Sequence, residues 1–405
     1  MIIGIIREGK NPPDKRVAFA PVQLKAILDT YPGKFHLVVE SSTVRAFSDE
    51  EYRELGIEVK DDLADCEVIF GVKEVPVDQL IEGKTYIFFS HTIKEQPANR
   101  KLLQAVLDKN IRLIDYETLK NESGDRVVAF GRWAGLVGAY NAFWTYGMKT
   151  GLYEIKRAHE CDSLEELFSE LGKVQLPPIK IVLTGSGRVG RGAMSILEKL
   201  GILQVNTHDF LHQYLEEPVF VLLRSEDLYR RKSDGGFDKE EFYSFPERYE
   251  SHFQKFAEHG EMLISGAYWN PDAPRLFEIE AISEEDFQFS VIADISCDVG
   301  GSIPTTLRSS TIAEPVYDVD RDTGRELPAF GQQTSISVMA IDNLPCELPR
   351  ESSVEFGRQL IEWVIPALLE ENSAMLERAT IARDGDLTIE YIYLSDYVNA
   401  QDKAQ

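Results

Sequence analysis

Two apolar runs in this chain end in titratable side chains: Val68-Ile69-Phe70-Gly71-Val72 leads into Lys73-Glu74, and Tyr86-Ile87-Phe88-Phe89 leads into Ser90-His91. Each reads as a buried strand. In an open α/β sheet ligands bind in the crevice outside the carboxyl ends of the strands, so a Lys and a His delivered there form a candidate acid/base pair. Taken singly, the Lys could snorkel and the His could be a satisfied core residue. Their common placement favours chemistry. A lysine desolvated in a cleft titrates downward and can serve as a base near neutral pH, whereas Glu74 beside it and Glu117, ending Arg112-Leu-Ile-Asp-Tyr-Glu117, would oppose that shift. Arg16, in the loop after the first strand, has a fork suited to a carboxylate, and Lys94 and Arg126 are further candidates. For all three, a plain surface cation is the competing reading.

A third stretch supplies a hydride partner. Ile181-Val182-Leu183-Thr184-Gly185-Ser186-Gly187-Arg188-Val189-Gly190 is an apolar strand running into GxGxxG and then a helix, the context in which that spacing binds a dinucleotide. The turn and first helical residues, Gly185, Gly187, Arg188, Val189 and Gly190, would face the pyrophosphate, and small Gly192 and Ala193 permit close packing. The acid expected about 20 residues on, to hold the adenosine ribose, is not cleanly present: the next strand ends Val205-Asn206-Thr207-His208-Asp209. Asp209 is late, and no Arg replaces it there. NAD(P) is the expected cofactor, its form left open with a tilt toward NADP. Asp294 and Asp298, in Asp294-Ile-Ser-Cys-Asp298-Val-Gly-Gly301, could face the nicotinamide or cap their own turn. The seven histidines show no ligand spacing, so no metal is expected.

The elements that must position these groups alternate along the chain. From residue 2 to about 130, apolar runs (2–6, 35–40, 68–72, 86–90, 112–115) alternate with amphipathic stretches (21–31, 48–55, 98–109), which argues an α/β fold with a parallel sheet. A hinge and a long connecting helix come next, from Gly131 to Met148, then a capped helix over 162–173. Strands at 181–184, 203–206, 218–223, 261–269 and 291–296 predict a second parallel sheet, with 224–260 as a surface insertion. After about Ser335 the chain returns to the first domain through a helix over 352–369, and 384–405 thins into a polar tail beyond the apolar patch 387–394. The expected domains are thus 1–134 with 336–405, for substrate and catalysis, and 135–335 for the dinucleotide.

Composition narrows the partners. A net charge of -25, from 68 acidic and 43 basic residues, repels phosphate backbones and anionic lipid, so neither nucleic acid nor a membrane is expected. Four scattered cysteines fit a reducing, cytoplasmic address. The N-terminal run is too short for a signal segment, and no apolar run approaches the ~18 residues that span a bilayer.

The same residues carry a family likeness. Arg16-Val-Ala, Gly71-Val-Lys73-Glu74-Val-Pro76, Phe88-Phe-Ser-His91-Thr-Ile-Lys94, Arg126-Val-Val-Ala-Phe-Gly131, Thr184-Gly-Ser-Gly187, Ala293-Asp-Ile-Ser296 and Ile341-Asp-Asn-Leu-Pro345 resemble the lysine-forming saccharopine dehydrogenases. The likeness is greatest to the lysine-ketoglutarate reductase half of aminoadipic semialdehyde synthases, within the alanine dehydrogenase/transhydrogenase superfamily. It implies two Rossmann-like domains with parallel sheets flanking a central cleft, and interconversion of saccharopine with lysine and 2-oxoglutarate through an imine. By motif match Lys73 and His91 are the acid/base pair, Arg16, Lys94 and Arg126 position substrate, and Glu74 and Glu117 modulate the pair. The second dehydrogenase half of the bifunctional proteins is not within these residues, so either the product is expected to pass to another enzyme or the specificity has drifted from lysine. A monomer or small homo-oligomer is expected. The alternatives are an alanine dehydrogenase-like enzyme, which the Ser90-His91-Thr92-Ile93-Lys94 continuation argues against, and a non-catalytic dinucleotide-binding protein.

Overall fold

The computed structural model describes residues 1–400 and divides into two compact units, Met1–Phe130 with the chain from Pro349 onward, and Gly131–Leu348. The return therefore comes later than residue 336. Ile336–Met339 is a wholly buried strand of the second sheet, and only Pro349 starts the helix that rejoins the first unit, Pro349–Ala367.

In the first unit β1 (Ile2–Ile5), β2 (His36–Glu40), β3 (Glu58–Lys60), β4 (Val68–Phe70), β5 (Thr85–Phe88) and β6 (Arg112–Asp115) lie parallel in the order 3-2-1-4-5-6. Helices α1 (Pro21–Thr30), α2 (Asp49–Glu54) and α3 (Arg100–Asp108) connect them. β4 is buried throughout and β5 nearly so, as expected of strands covered on both faces. Burying each such apolar side chain stabilises by roughly 1.5–3 kcal/mol. The order reverses between β1 and β4. That topological switch opens a crevice at the carboxyl ends of those two strands.

Two late strands, Thr380–Arg383 and Asp386–Leu387, add antiparallel to the β6 edge, where the sequence suggested only a patch and a tail. Asp384 and Gly385 join them with φ of 54° and 83°, the paired positive values of a two-residue hairpin turn, which Asp-Gly supplies at low cost. The last five residues of the expected tail lie outside the described residues.

The second unit opens with α4 (Gly131–Thr150) and α5 (Leu164–Leu171), whose Ser163 hydroxyl accepts from the Glu166 N–H at 3.3 Å. β7 (Lys180–Thr184), α6 (Arg188–Lys199), β8 (Leu203–Val205), α7 (Thr207–His212) and β9 (Val219–Leu223) come after them. The segment read as a surface insertion contains an antiparallel ribbon, β10 (Tyr229–Arg231) and β11 (Tyr249–Ser251), and buries Phe242, Tyr249, Phe253 and Phe256. Its charges stay at the surface; its aromatics are core. β12 (Met262–Ser265), β13 (Val291–Asp294), β14 (Val316–Val319), β15 (Glu326–Leu327) and β16 (Ile336–Met339) complete a sheet ordered β15-β14-β16-β13-β12-β7-β9-β8. β14 and β15 are antiparallel, so this sheet is mixed at one edge. Backbone touches backbone where α4 crosses α6: a Cβ on Gly135 would sit 1.8 Å from the Val189 carbonyl oxygen, and one on Gly192 would sit 1.9 Å from that of Arg132.

Candidate active site

At the switch point of the first sheet, the chain leaving β4 is held by the chain leaving β1. The two oxygens of Glu8 accept from consecutive backbone N–H groups, Val72 at 2.7 Å and Lys73 at 2.8 Å. On the next strand the Phe89 N–H donates to the Val72 carbonyl at 3.0 Å, which continues the β4–β5 register. Lys73 and His91 therefore leave the sheet from neighbouring strands, both half-buried.

The imidazole is fixed from two sides, and its backbone turn is pinned beneath it. Nδ1 of His91 lies 2.5 Å from Oε1 of Glu74, and the ring stacks on Phe89 at 6.2 Å between centroids with a 14° interplanar angle. His91 itself adopts φ 53°, a left-handed conformation costly for a side-chain-bearing residue, on the order of 1 kcal/mol or more. A buried network pins that turn: Asp115 accepts from the Ser90 N–H at 3.0 Å and from the Ser90 hydroxyl, which also meets Thr92 Oγ1 at 2.8 Å. Burial alone would raise Glu74, yet the hydrogen bond and charge of His91, with Lys10 at 3.3 Å, draw its carboxyl down to about 2. Glu74 is an anion at any working pH.

Around this centre the remaining expected residues fall into two groups. Lys94 Nζ and Arg126 Nη1 converge on Oε1 of Glu117, at 3.3 and 3.7 Å, and the Arg126 guanidinium lies 5.3 Å above the Phe89 ring. Oε2 of Glu117 is buried and has no hydrogen-bond partner. Arg16, in contrast, is buried and committed: Nε and Nη2 hold Asp14 at 3.0 and 2.6 Å, and the guanidinium lies 4.3 Å above Phe130. Two of its nitrogens are thus occupied by a carboxylate of the chain itself.

Glu8 escaped the sequence reading. Burial first, then the neighbouring Asp14, pushes its carboxyl up to about 8, against the pull of the Lys73 and Val72 N–H groups and of Arg16. The available signal was its position, directly after the first strand of a doubly wound sheet. A surface cavity of about 660 Å³ lies elsewhere in this unit, where Gln104, Leu107, Leu387 and Ile392 line it, and has no basic group in its walls.

The second unit offers backbone where the first offers side chains. Gly185 has φ +88° and no room for a Cβ, which would meet Ala267 at 2.7 Å, while a Cβ on Gly190 would meet the Gly185 carbonyl at 1.8 Å. At Gly187, ahead of Arg188 and Val189, nothing lies within 4 Å, so a side chain there would fill the space in front of the α6 N-terminus. That is the cradle a pyrophosphate needs. Asp209 is not beside it. β9, rather than β8, pairs with β7, and Asp209 sits in the first turn of α7, beyond the edge strand, its oxygens bound by Asn206 at 2.8 Å and Gln213 at 2.6 Å. Asp294 is buried at the end of β13 and accepts from Ser296 and Thr306, both hydroxyls at 2.7 Å, which is the turn-capping arrangement; burial raises its pKa. Asp298, four residues on, is exposed.

Two Rossmann-like units thus make up the chain, one presenting a Lys/His/Glu group after its sheet and the other a glycine turn at the N-terminus of α6. The chain belongs to the alanine dehydrogenase/PNT family: its residues 4–137 match the model "Alanine dehydrogenase/PNT, N-terminal domain" and residues 165–390 the corresponding C-terminal domain. It is 31% identical, over its full length, to the mitochondrial alpha-aminoadipic semialdehyde synthase of Mus musculus, of which it covers 48%. The chain thus spans about half the length of the first curated relatives it matches. It is 27% identical, over 92% of its length and 94% of the relative's, to the saccharopine dehydrogenase [NAD(+), L-lysine-forming] of Emericella nidulans. Among solved structures, an L-alanine dehydrogenase shares the fold with a TM-score of 0.65 at 16% identity, each chain covered to 98%. Among the described residues no helix is long and apolar enough to cross a membrane, and no cluster of three or more His, Cys, Asp or Glu could hold a metal.

Proposed function

We propose that this chain interconverts saccharopine with lysine and 2-oxoglutarate, consuming water in the lysine-forming direction, as an NAD(P)-linked oxidoreductase acting on a CH–NH bond. The observation that carries this reading is His91 held at 2.5 Å by an anionic Glu74, next to a Lys73 whose backbone is clamped by Glu8. When bound, the nicotinamide accepts or returns the hydride. Residues 185–190 hold its dinucleotide by backbone, and every proton is left to the first unit. Lys73 takes the proton of the secondary amine as the imine forms. His91, with Nδ1 committed to Glu74, uses Nε2 to activate water and to move protons through the carbinolamine. Glu74 orients the imidazole. Glu117, with its unpartnered oxygen, receives a substrate ammonium, while Lys94 and Arg126, tethered to Glu117, meet the substrate carboxylates; Arg16, held by Asp14, positions the loop beside them. Asp294 supports the turn at the end of β13, and Asp298 lies on the same segment.

The words "saccharopine" and "L-lysine-forming" in the fungal relative's name support lysine over smaller amino acids. The first unit carries the substrate chemistry and the second the nucleotide, with a tilt toward NADP. Four scattered cysteines, three of them buried, support a reducing, cytoplasmic address, and the assembly is read as a monomer or small homo-oligomer. The test is a steady-state assay with NADH and NADPH in parallel. Oxidation should require lysine and 2-oxoglutarate together and yield saccharopine by mass spectrometry; oxidation with pyruvate and ammonia instead would refute the assignment.

A further inference from the structure

Because β9 borders β7, the chain that emerges beside the glycine turn is residue 224, and the geometry points to Arg224, with the hydroxyl of Ser225, as the site that reads a 2′-phosphate on the adenosine ribose. This rests on the second unit's reading as a dinucleotide-binding fold. The Gly185 N–H donates to the Leu223 carbonyl at 2.9 Å, so Arg224 comes directly after a residue bonded to the first glycine of the turn. In this fold the side chain at the end of the strand next to the glycine strand faces the ribose; a carboxylate there accepts a 2′-hydroxyl, whereas a guanidinium accommodates a 2′-phosphate. Arg224 has no acceptor to offer a hydroxyl and up to five donors for a phosphate.

The rest of the surroundings leave that guanidinium available. It is exposed, and it makes no hydrogen bond or ion pair among the described residues. The nearby Asp227 is turned to the backbone, accepting from the Arg224 N–H at 2.9 Å, and Glu226 is exposed. Other arginines of this unit are spent on carboxylates: Arg230 on Glu250, Arg231 on Asp234 and Glu241, Arg248 on Glu241, and Arg308 on Glu326. Asp209, the one acid expected to hold the ribose, is bound by Asn206 and Gln213 beyond the edge strand. The inference departs from the NAD(+) printed in the fungal relative's name.

Equilibrium titration of the purified chain with NADPH and with NADH, followed by nucleotide fluorescence, tests this without turnover. The wild type should bind NADPH at least tenfold more tightly. Arg224→Gln should weaken NADPH about 10- to 100-fold and leave NADH within twofold, and Arg224→Asp should reverse the preference. Competition by 2′,5′-ADP over 5′-AMP should be lost in both variants. Tighter NADH binding by the wild type, or equal weakening of both nucleotides in Arg224→Gln, as stacking on adenine would give, overturns the assignment. Failure of both nucleotides to bind the wild type overturns the dinucleotide reading and Arg224 with it.

Discussion

The two sheets share a plan and differ in what they put at the same place. Each has its glycine-bearing or acid-bearing loop at the carboxyl end of a central strand, next to the point where strand order reverses. The first sheet fills that place with titratable side chains, Glu8, Lys73, Glu74 and His91; the second opens it, with Gly185, Gly187 and Gly190 removing the Cβ at three positions of the turn. On the proposed function, the first crevice moves protons and the second presents backbone. The contrast teaches that the same switch-point geometry serves either purpose, the choice lying in the residues after the strand.

The contrast can be broken most sharply in the first sheet. Lys73→Met removes the base and should lower turnover about 10³-fold, within the range for loss of general acid/base catalysis, with NAD(P)H affinity unchanged in a fluorescence titration. His91→Gln keeps a hydrogen-bonding group toward Glu74 but cannot shuttle a proton; a loss of about 10² in kcat is expected. In the second sheet two glycines should part company. The Cβ that Gly187→Val adds has nothing within 4 Å, so the melting temperature should hold while dinucleotide affinity falls at least tenfold; Gly190→Ala, its Cβ 1.8 Å from a carbonyl, should lower the melting temperature itself.

The smallest effect concerns Glu8 and sharpens the comparison through pH. Its carboxyl rises from an ordinary 4.5 in the unfolded chain to about 8 in the folded one, so the folded state holds a proton that the unfolded state releases. That contribution to stability is present below pH about 4.5 and is lost as pH rises toward 8. Glu8→Gln cannot titrate, so its denaturant-measured stability relative to wild type should improve by on the order of 1–3 kcal/mol between pH 5 and 8. A difference that is flat with pH would mean Glu8 stays ionised.

Strand ends were legible in the sequence because a buried parallel strand is an uninterrupted apolar run, and the residues directly after such a run enter the crevice. Lys73, Glu74 and His91 were found that way. Contacts across the sheet were not legible. Nothing in the order of residues says that β9 rather than β8 lies beside β7, so Asp209 drew the attention that Arg224 merited. Arg16 looked open to a substrate carboxylate because its partner, Asp14, is two residues away in a loop whose fold the sequence does not specify. The aromatic residues of 224–260 were hidden by the charges between them, and the Asp384-Gly385 hairpin by its place near the chain end.

Division of labour between the two sheets is the central claim, and the double variant Lys73→Met, His91→Gln tests it most directly when nucleotide affinity and turnover are measured on one preparation. NAD(P)H should bind within twofold of wild type while saccharopine formation from lysine and 2-oxoglutarate falls at least 10³-fold. Turnover within tenfold of wild type, or nucleotide affinity lost in parallel with it, would contradict the account.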